Sequence, residues 1–313
     1  MIVVTGAAGF IGSCLVGKLN AENYNDLVLV DDFTRDHMRV NYESKKYAQL
    51  VDREVFPDWL AANQQLVQFV FHLGARTDTT EFDTKIFDRL NLNYSKEIWR
   101  LCVKHSLPLV YASSAATYGL GELGYRDDHE ICSALKPLNP YGDSKNDFDI
   151  WALAQKEKPF FWAGLKFFNV YGPREYYKGN TSSMVIQLGH QILDGKAPRL
   201  FTNSNQIFRD FIYIDDVVQA NIKACAPKQN GTYNVGTGIP RNFQEIADIL
   251  QKELDTDLGT DYFPNPYNGY QMNTQADISS TKKNLGFEPK FSLERGIKAY
   301  IPEILRLHGT DIS

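Results

Sequence analysis

A doubly wound parallel α/β sheet with a second, smaller, discontinuous α/β unit is predicted by three features of the sequence. Short apolar runs of strand length alternate with helical patterns from Ile2 to Phe168. A glycine-rich turn, Gly6-Ala7-Ala8-Gly9-Phe10-Ile11-Gly12, follows the first apolar run and opens the first helical one. Beyond Val170 the alternation gives way to polar, turn-rich stretches and separate helices. The 313 residues, 43% hydrophobic and 23% charged, are of ordinary globular composition and suffice for a large core.

Ile2 to Thr5 is a buried-strand pattern, and Leu15, Val16 and Leu19 mark the helix after the turn. Gly6 permits the tight turn, Gly9 lets the backbone approach a pyrophosphate at the helix N-terminus, and Gly12 lets helix and strand pack closely. A second strand, Leu27 to Val30, ends in Asp31-Asp32, where an acid would meet the adenosine ribose of a dinucleotide. An Asp there favours a free 2′-hydroxyl. Arg35, Arg39, Lys45, Lys46 and Arg53 follow, and they suit either a 2′-phosphate or a solvated loop, so NAD and NADP both stay open.

Val67 to Ala75 is a buried strand ending in small residues, where a flat cofactor can lie against the sheet, and a long helix then reaches His105. Leu107 to Tyr111 is the next strand, with Ser113 and Ser114 at its end. The helix carrying Tyr141 and Lys145 continues through Trp151, Leu153 and Ala154, and Phe160 to Phe168 forms a further strand. Met184 to Leu193 is helical; Asp215 to Ala226 and Thr232 to Gly236 are a helix and a strand that rejoin the first sheet. The expected division is a dinucleotide-binding unit, 1–170 plus 215–241, and a substrate unit, 171–214 plus 242–313, sharing a cleft.

Tyr141-Gly-Asp-Ser-Lys145 is the chemical centre of this pattern. A Tyr and a Lys four residues apart share a helix face, so the ammonium is expected to lower the phenol pKa toward working pH. That spacing also arises by accident on amphipathic helices. The hydroxyl-rich run Tyr111 to Gly119 and the glycine turn are what make the pair a proton-transfer candidate.

Other classes are disfavoured. A net charge of −5 argues against a nucleic-acid partner. No apolar stretch approaches a membrane span, and Met1 runs straight into a strand with no room for a cleavable signal, so a cytoplasmic protein is expected. Cys14, Cys102, Cys132 and Cys225 are widely spaced and read as free thiols in a reducing compartment. The histidines form no metal-ligand spacing, and no metal is expected.

With these motifs assembled, the chain resembles the extended short-chain dehydrogenase/reductase superfamily of nucleotide-sugar epimerases and dehydratases over its whole length. The glycine turn, Ser114, Tyr141 with Lys145, and the run Asn169-Val-Tyr-Gly-Pro-Arg174 are shared across that superfamily. Four stretches narrow the resemblance to its ADP-heptose 6-epimerase branch: Tyr111 to Gly119; Tyr171-Gly-Pro-Arg-Glu175 followed by Lys178-Gly179; Arg209-Asp-Phe-Ile-Tyr213; and Gly269-Tyr-Gln271 leading to Thr274-Gln-Ala-Asp277.

The resemblance implies cofactor contacts from Gly6, Gly9, Phe10, Ile11 and Gly12 in the turn, and from Asp31, Asp32, Arg39 and Arg53 around the second strand. Leu73, Gly74, Ala75, Arg76, Thr77, Asn91, Tyr141, Lys145, Val170 and Lys178 complete that set. It implies an ADP-sugar held by Ser114, Asn169, Asn180, Gln187, Phe201, Thr202, Asn203, Ser204, Arg209 and Tyr270. Tyr141 and Lys178 would be the two acid/base groups, with Ser114 donating to the substrate oxygen and Lys145 holding the nicotinamide ribose. The implied reaction inverts C6 of the heptose in ADP-D-glycero-D-manno-heptose through a transient 6-ketone. NADP would be the cofactor and a homo-oligomer, in this family a pentamer, the assembly. The chain departs from the familiar pattern at Asp32, where Asn is usual, at Gln187, where His is, and at Asn180, where Ser is.

Residue chemistry alone leaves alternatives. Lys178 suits a solvated loop, Arg209 an ion pair with Asp210, Asp215 or Asp216, Phe201 the core, and Asn169 or Tyr270 the satisfaction of buried backbone. Among rival activities, a 4,6-dehydratase usually carries an Asp-Glu pair where Ala115-Ala116 stands, and a UDP-hexose 4-epimerase works with the single Tyr base. An inactive nicotinamide-binding regulatory protein usually lacks the Tyr or Lys retained here.

Overall fold

The computed structural model describes residues 1–266 and 271–309. Its strands in chain order are β1 (Ile2–Thr5), β2 (Leu27–Asp31), β3 (Gln49–Asp52), β4 (Phe69–His72), β5 (Leu109–Ser114), β6 (Trp162–Phe167), β7 (Asn169–Tyr171), β8 (Arg199–Phe201), β9 (Phe208–Tyr213), β10 (Gly231–Val235), β11 (Pro240–Asn242) and β12 (Asp261–Phe263). Among the described residues, seven strands form one sheet in the order β10-β6-β5-β4-β1-β2-β3, and each pairing is parallel. Helices cover both faces, so β1 and β2 read as unbroken apolar runs. Successive side chains alternate between the faces: Val3 joins a core with Trp99 and Phe148, and Val4 joins another with Leu29 and Leu165.

The chain winds outward from β1 through β2 to β3, then returns to lay β4 on the other side of β1. This reversal opens a crevice beyond the C-terminal ends of β1 and β4, the usual ligand position in an open α/β sheet. Two smaller sheets, β11-β9-β7 and β12-β8, lie outside the seven strands. Helices Met184–Leu193, Phe243–Glu253 and Leu293–Gly309 pack against one another beside them.

Three expected elements differ. β3 has no counterpart in the sequence reading, because it is an edge strand in which only Val51 is buried and so shows no apolar run. The long helix expected before His105 is a short helix Thr84–Phe87, a π-helical turn Asp88–Asn93 and a helix Tyr94–Lys104. The strand expected over Val67 to Ala75 ends at His72, which leaves Leu73 to Thr77 as a loop over the crevice.

The helix Pro140–Ala154 is tied to the sheet from below. Asp149 and Lys166 are both fully buried, and Lys166 Nζ lies 2.6 Å from the Asp149 carboxylate. The same carboxylate accepts from Tyr111 Oη at 2.9 Å and Ser113 Oγ at 2.6 Å, and Lys166 also donates to Thr117 Oγ1 at 3.0 Å. Removing one member of such a pair leaves the other charge buried without its partner. Lys166→Met is therefore expected to lower the unfolding free energy by about 3–5 kcal/mol in a urea titration. A loss below about 1 kcal/mol, the scale of a surface pair, would mean that the bridge does not hold the helix.

Candidate active site

The glycine turn has the geometry of a phosphate cradle. Gly6 has φ +67, and a methyl added there would lie 2.7 Å from the Gly74 backbone, so the turns after β1 and β4 touch. A methyl on Gly12 would overlap the Gly6 carbonyl oxygen, which is the close helix packing expected of this position. Gly9 opens the helix Phe10–Ala21 with no side-chain cap and no acid in the first turn, leaving its N-terminal dipole able to meet an anion. The turn fits a dinucleotide.

The acids after β2 divide their work. Asp31 is half-buried and braces the cradle, accepting from Ala8 N at 2.9 Å and Asp32 N at 2.8 Å; burial raises its carboxyl pKa, with those bonds opposing. Asp32 stands further out, 3.3 Å from Arg35 and 3.4 Å from Arg53, with the Thr34 hydroxyl holding its pKa down. Arg39, expected at the cofactor, pairs with Glu43 on an exposed turn.

Leu73 to Thr77 form the loop that follows β4, and Asn91 lies against it. Asn91 is buried, and its amide accepts from Arg76 N at 2.8 Å and donates to Arg76 O at 2.9 Å and Ser144 Oγ at 3.0 Å. Asn91 thus joins the crevice loop to the Tyr141 helix, and the π-helical turn is what aims it inward. Beneath the loop, buried His72 bridges Thr5 Oγ1 at 2.8 Å and Ser95 Oγ at 2.9 Å, and Thr5 Oγ1 accepts from Gly74 N at 3.0 Å.

Ser114 closes β5 and caps the turn Ala115–Tyr118 through Ala116 N at 3.1 Å. The helix Pro140–Ala154 begins against this turn, with Asn139 as its cap; a methyl on Gly142 would lie 2.9 Å from the Ala116 carbonyl oxygen. That contact brings Tyr141 to Ser114. Burial raises the Tyr141 phenol pKa, and the Ser114 hydrogen bond opposes the rise. The expected lowering by Lys145 is not observed. Lys145 Nζ instead donates to the Ala112 carbonyl at 2.7 Å, because a buried ammonium needs an acceptor, and burial brings its pKa down to about 8.

Lys178 lies in the loop between Gly172 and Ser183, with its ammonium 5.7 Å from the centre of the Phe10 ring at the dinucleotide turn. Burial lowers its pKa, and nearby Glu175 opposes this. Tyr177 was not foreseen: its hydroxyl receives Phe10 N–H at 2.8 Å, at the helix N-terminus itself.

The expected substrate residues fall into two groups. Asn169 is exposed on β7, beside half-buried Val170. Asn180 is exposed in the Lys178 loop, and Gln187 supports that loop by donating to Ser182 O at 2.7 Å. On the other side, half-buried Phe201 ends β8 with its ring against Phe263, Thr202 N donates to Phe263 O at 2.9 Å, and Asn203 leads into Ser204, whose buried hydroxyl has no partner among the described residues. Arg209 is buried on β9, its fork fixed by Phe208 O at 2.8 Å and Gln271 O at 2.6 Å. Asp210 caps Thr237, Gly238 and Ala276, while Asp216 caps Lys290 and Phe291. Gln271 also donates to Gly119 O, linking the β5 turn to Arg209. Tyr270 lies outside the described residues.

Residues 2–236 match the model of the NAD dependent epimerase/dehydratase family. The chain belongs to this family. It is 37% identical to an ADP-L-glycero-D-manno-heptose-6-epimerase of Fusobacterium nucleatum, covering 97% of this chain and 98% of that one. Its fold is similar to the crystal structure of ADP-L-glycero-D-manno-heptose-6-epimerase from Helicobacter pylori, with TM-score 0.85, 32% identity, and coverage of 98% and 96% of the two chains. It is also similar to UDP-glucose 4-epimerase from Thermotoga maritima, with TM-score 0.83, 27% identity, and coverage of 97% and 98%. The family resemblance read from the motifs and the doubly wound sheet agree with these likenesses.

The buried imidazole under this epimerase crevice generates a pH dependence. Burial, reinforced by Lys145, brings the His72 pKa from 6.5 down to about 3, so the unfolded chain binds the extra proton between those values. Its contribution is complete above pH 6.5 and is lost as pH falls toward 3. Unfolding titrations from pH 7 to 4 should show a shallower decline for His72→Asn than for the parent. Parallel curves would rule out this assignment.

Proposed function

We propose that this family member is an ADP-L-glycero-D-manno-heptose 6-epimerase, with the division of labour between dinucleotide and substrate units outlined above. One observation supports the reading most: a second ionisable group, Lys178, stands over the Phe10 ring at the dinucleotide turn, while Ser114 and Tyr141 stand at the end of β5. Inversion at an exocyclic carbon needs proton transfer on two sides of that carbon, each donor within about 3 Å of the oxygen it serves. A 4-epimerase that turns the whole sugar ring needs one such base.

The Gly6–Gly12 turn would hold the dinucleotide pyrophosphate, the Asp32 region its adenosine ribose, and Lys145 its nicotinamide ribose once released from Ala112. A bound nicotinamide supplies reversible hydride transfer at the sugar carbon. Tyr141 then takes or returns the C6 hydroxyl proton from the β5 side, with Ser114 donating to the same oxygen, and Lys178 serves the opposite face. Arg209, whose guanidinium donates to the Phe208 and Gln271 carbonyls, would meet the ADP pyrophosphate, as the family resemblance implies. Rotation about C5–C6 between the two proton transfers exchanges the faces of the 6-keto sugar.

The family resemblance also supports NADP and a cytoplasmic homo-oligomer. Arg35 and Arg53 both lie against the Asp32 carboxylate, with Arg53 also 3.2 Å from Glu54, so two guanidiniums stand where a 2′-phosphate would come. Mass spectrometry of the dinucleotide released from purified protein is expected to give NADP; NAD alone would reverse this choice.

Proton NMR of purified protein with ADP-D-glycero-D-manno-heptose should show conversion to the L-glycero epimer, with deuterium placed at C6 retained. Tyr141→Phe and Lys178→Met should each lower kcat by at least about 100-fold. Loss of the label to solvent would defeat the mechanism, and turnover of UDP-galactose in place of the ADP sugar would favour the 4-epimerase reading.

A further inference from the structure

We propose that Glu175 is the positioning residue for Lys178: its buried carboxylate closes the segment 172–183 into a fixed loop that presents the ammonium to the sugar. The proposal rests on the acid/base role given to Lys178 above. Glu175 is fully buried. One carboxylate oxygen accepts from Gly172 N at 3.1 Å and from Ser183 Oγ at 2.7 Å, and the other accepts from Ser183 N at 2.6 Å. The two ends of the loop are thus joined through one side chain. Lys178 N donates to the Glu175 carbonyl at 3.0 Å, which sets the start of the turn from which Lys178 projects.

A carboxylate is suited to this position for two reasons. Each group that reaches it is a donor, and only an ionised carboxylate accepts on both oxygens without placing an N–H or O–H against one of them. Burial raises the Glu175 carboxyl pKa while the Ser183 and Gly172 bonds oppose the rise, and the carboxylate so held favours the protonated form of Lys178 that desolvation disfavours. Tyr300, on the helix Leu293–Gly309, is a further titratable group beside the carboxylate.

The outer side of the loop is fixed to the dinucleotide half by different residues. Tyr177 Oη receives Phe10 N–H at 2.8 Å, Tyr176 Oη donates to His37 O at 3.1 Å, and Arg174 Nη1 donates to Asn41 O at 3.1 Å. Arg174 and Gly179 both take positive φ, +80 and +52, so the backbone turns sharply on either side of Lys178. Loss of the Glu175 clamp would leave those outer contacts in place and free the Lys178 segment alone. This separates a positioning role from a general need of the fold.

The test compares Glu175→Gln, Lys178→Met and the double variant. Glu175→Gln is expected to lower kcat on the ADP-heptose by about 10- to 100-fold, with KM and bound dinucleotide close to the parent's. In the Lys178→Met background the same change should add less than about twofold. Ser183→Ala, which keeps the carboxylate and removes one donor, should give a smaller loss in the same direction. Multiplicative losses in the double variant, or a loss of bound dinucleotide matching the loss of rate, would overturn the proposal. A second readout needs no substrate: acylation of Lys178 by an amine-reactive ester, followed by peptide mass spectrometry, should change several-fold in Glu175→Gln. An unchanged rate would overturn the positioning role even if the parent epimerises the sugar, whereas a changed rate with no turnover by the parent would leave it standing and defeat the substrate reading.

Discussion

A buried ion pair, Asp149 with Lys166, fixes the relation between the sheet and the helix on which the site depends. The pair joins β6 to the inner face of the helix Pro140–Ala154, and Asp149 also gathers the Tyr111 and Ser113 hydroxyls of β5. Tyr141, Lys145 and Asp149 fall at intervals of four along that helix, so one stripe carries the phenol, the ammonium and the anchoring carboxylate. Desolvating two charges is costly, and well-packed apolar residues often stabilise a fold as well or better. The pair's value here is registry: a carboxylate that must meet three donors tolerates little rotation of the helix. Ser114, at the end of the strand so anchored, is thereby held to Tyr141.

The same economy of contacts joins the crevice to its surroundings. Gly6 and Gly74 approach closely because neither carries a side chain, and the Thr5 hydroxyl that receives Gly74 N–H is itself bonded to His72. Asn91 continues the chain of contacts from Arg76 to Ser144 on the helix Pro140–Ala154. The loop over the crevice is therefore defined by buried polar groups that are satisfied by one another, which gives a polar site a rigid floor.

Much of this was legible because its signal is local. The glycine turn, the apolar strands and the shared helix of Tyr141 and Lys145 each depend on residues close together in the chain, and each appears in the structure, with the strand before Leu73 shorter than expected. What escaped depends on partners far apart in sequence. Nothing around Glu175 reveals that its carboxylate turns inward onto Ser183, and nothing near Tyr177 reveals a bond to Phe10. β3 escaped because an exposed edge strand lacks the apolar run that marks its neighbours. The Tyr141–Lys145 pairing failed at a finer level: the helix supplied the shared face, but the nearest acceptor for the ammonium was the Ala112 carbonyl of β5. Spacing predicts proximity of stems, whereas the competition among buried acceptors decides where a long side chain ends.

That competition bears on how the two ionisable groups differ. Tyr141 is held within the strand-and-helix framework, and the Ser114 hydrogen bond offsets the burial that favours its neutral form. Lys178 is held on a loop, and a carboxylate offsets the burial that favours its neutral form. Each group is desolvated, and each has one neighbour that favours the charged state; burial still leaves the Tyr141 pKa raised, whereas that of Lys178 is lowered toward the pH at which a proton can pass in either direction. In a reversible inversion the group that accepts a proton in one direction must donate it in the other. The fold places unlike neighbours beside the two groups, a hydroxyl beside the phenol and a carboxylate near the ammonium, and Gln271, bonded to both Gly119 and Arg209, ties the phenol side to the arm proposed to hold the nucleotide.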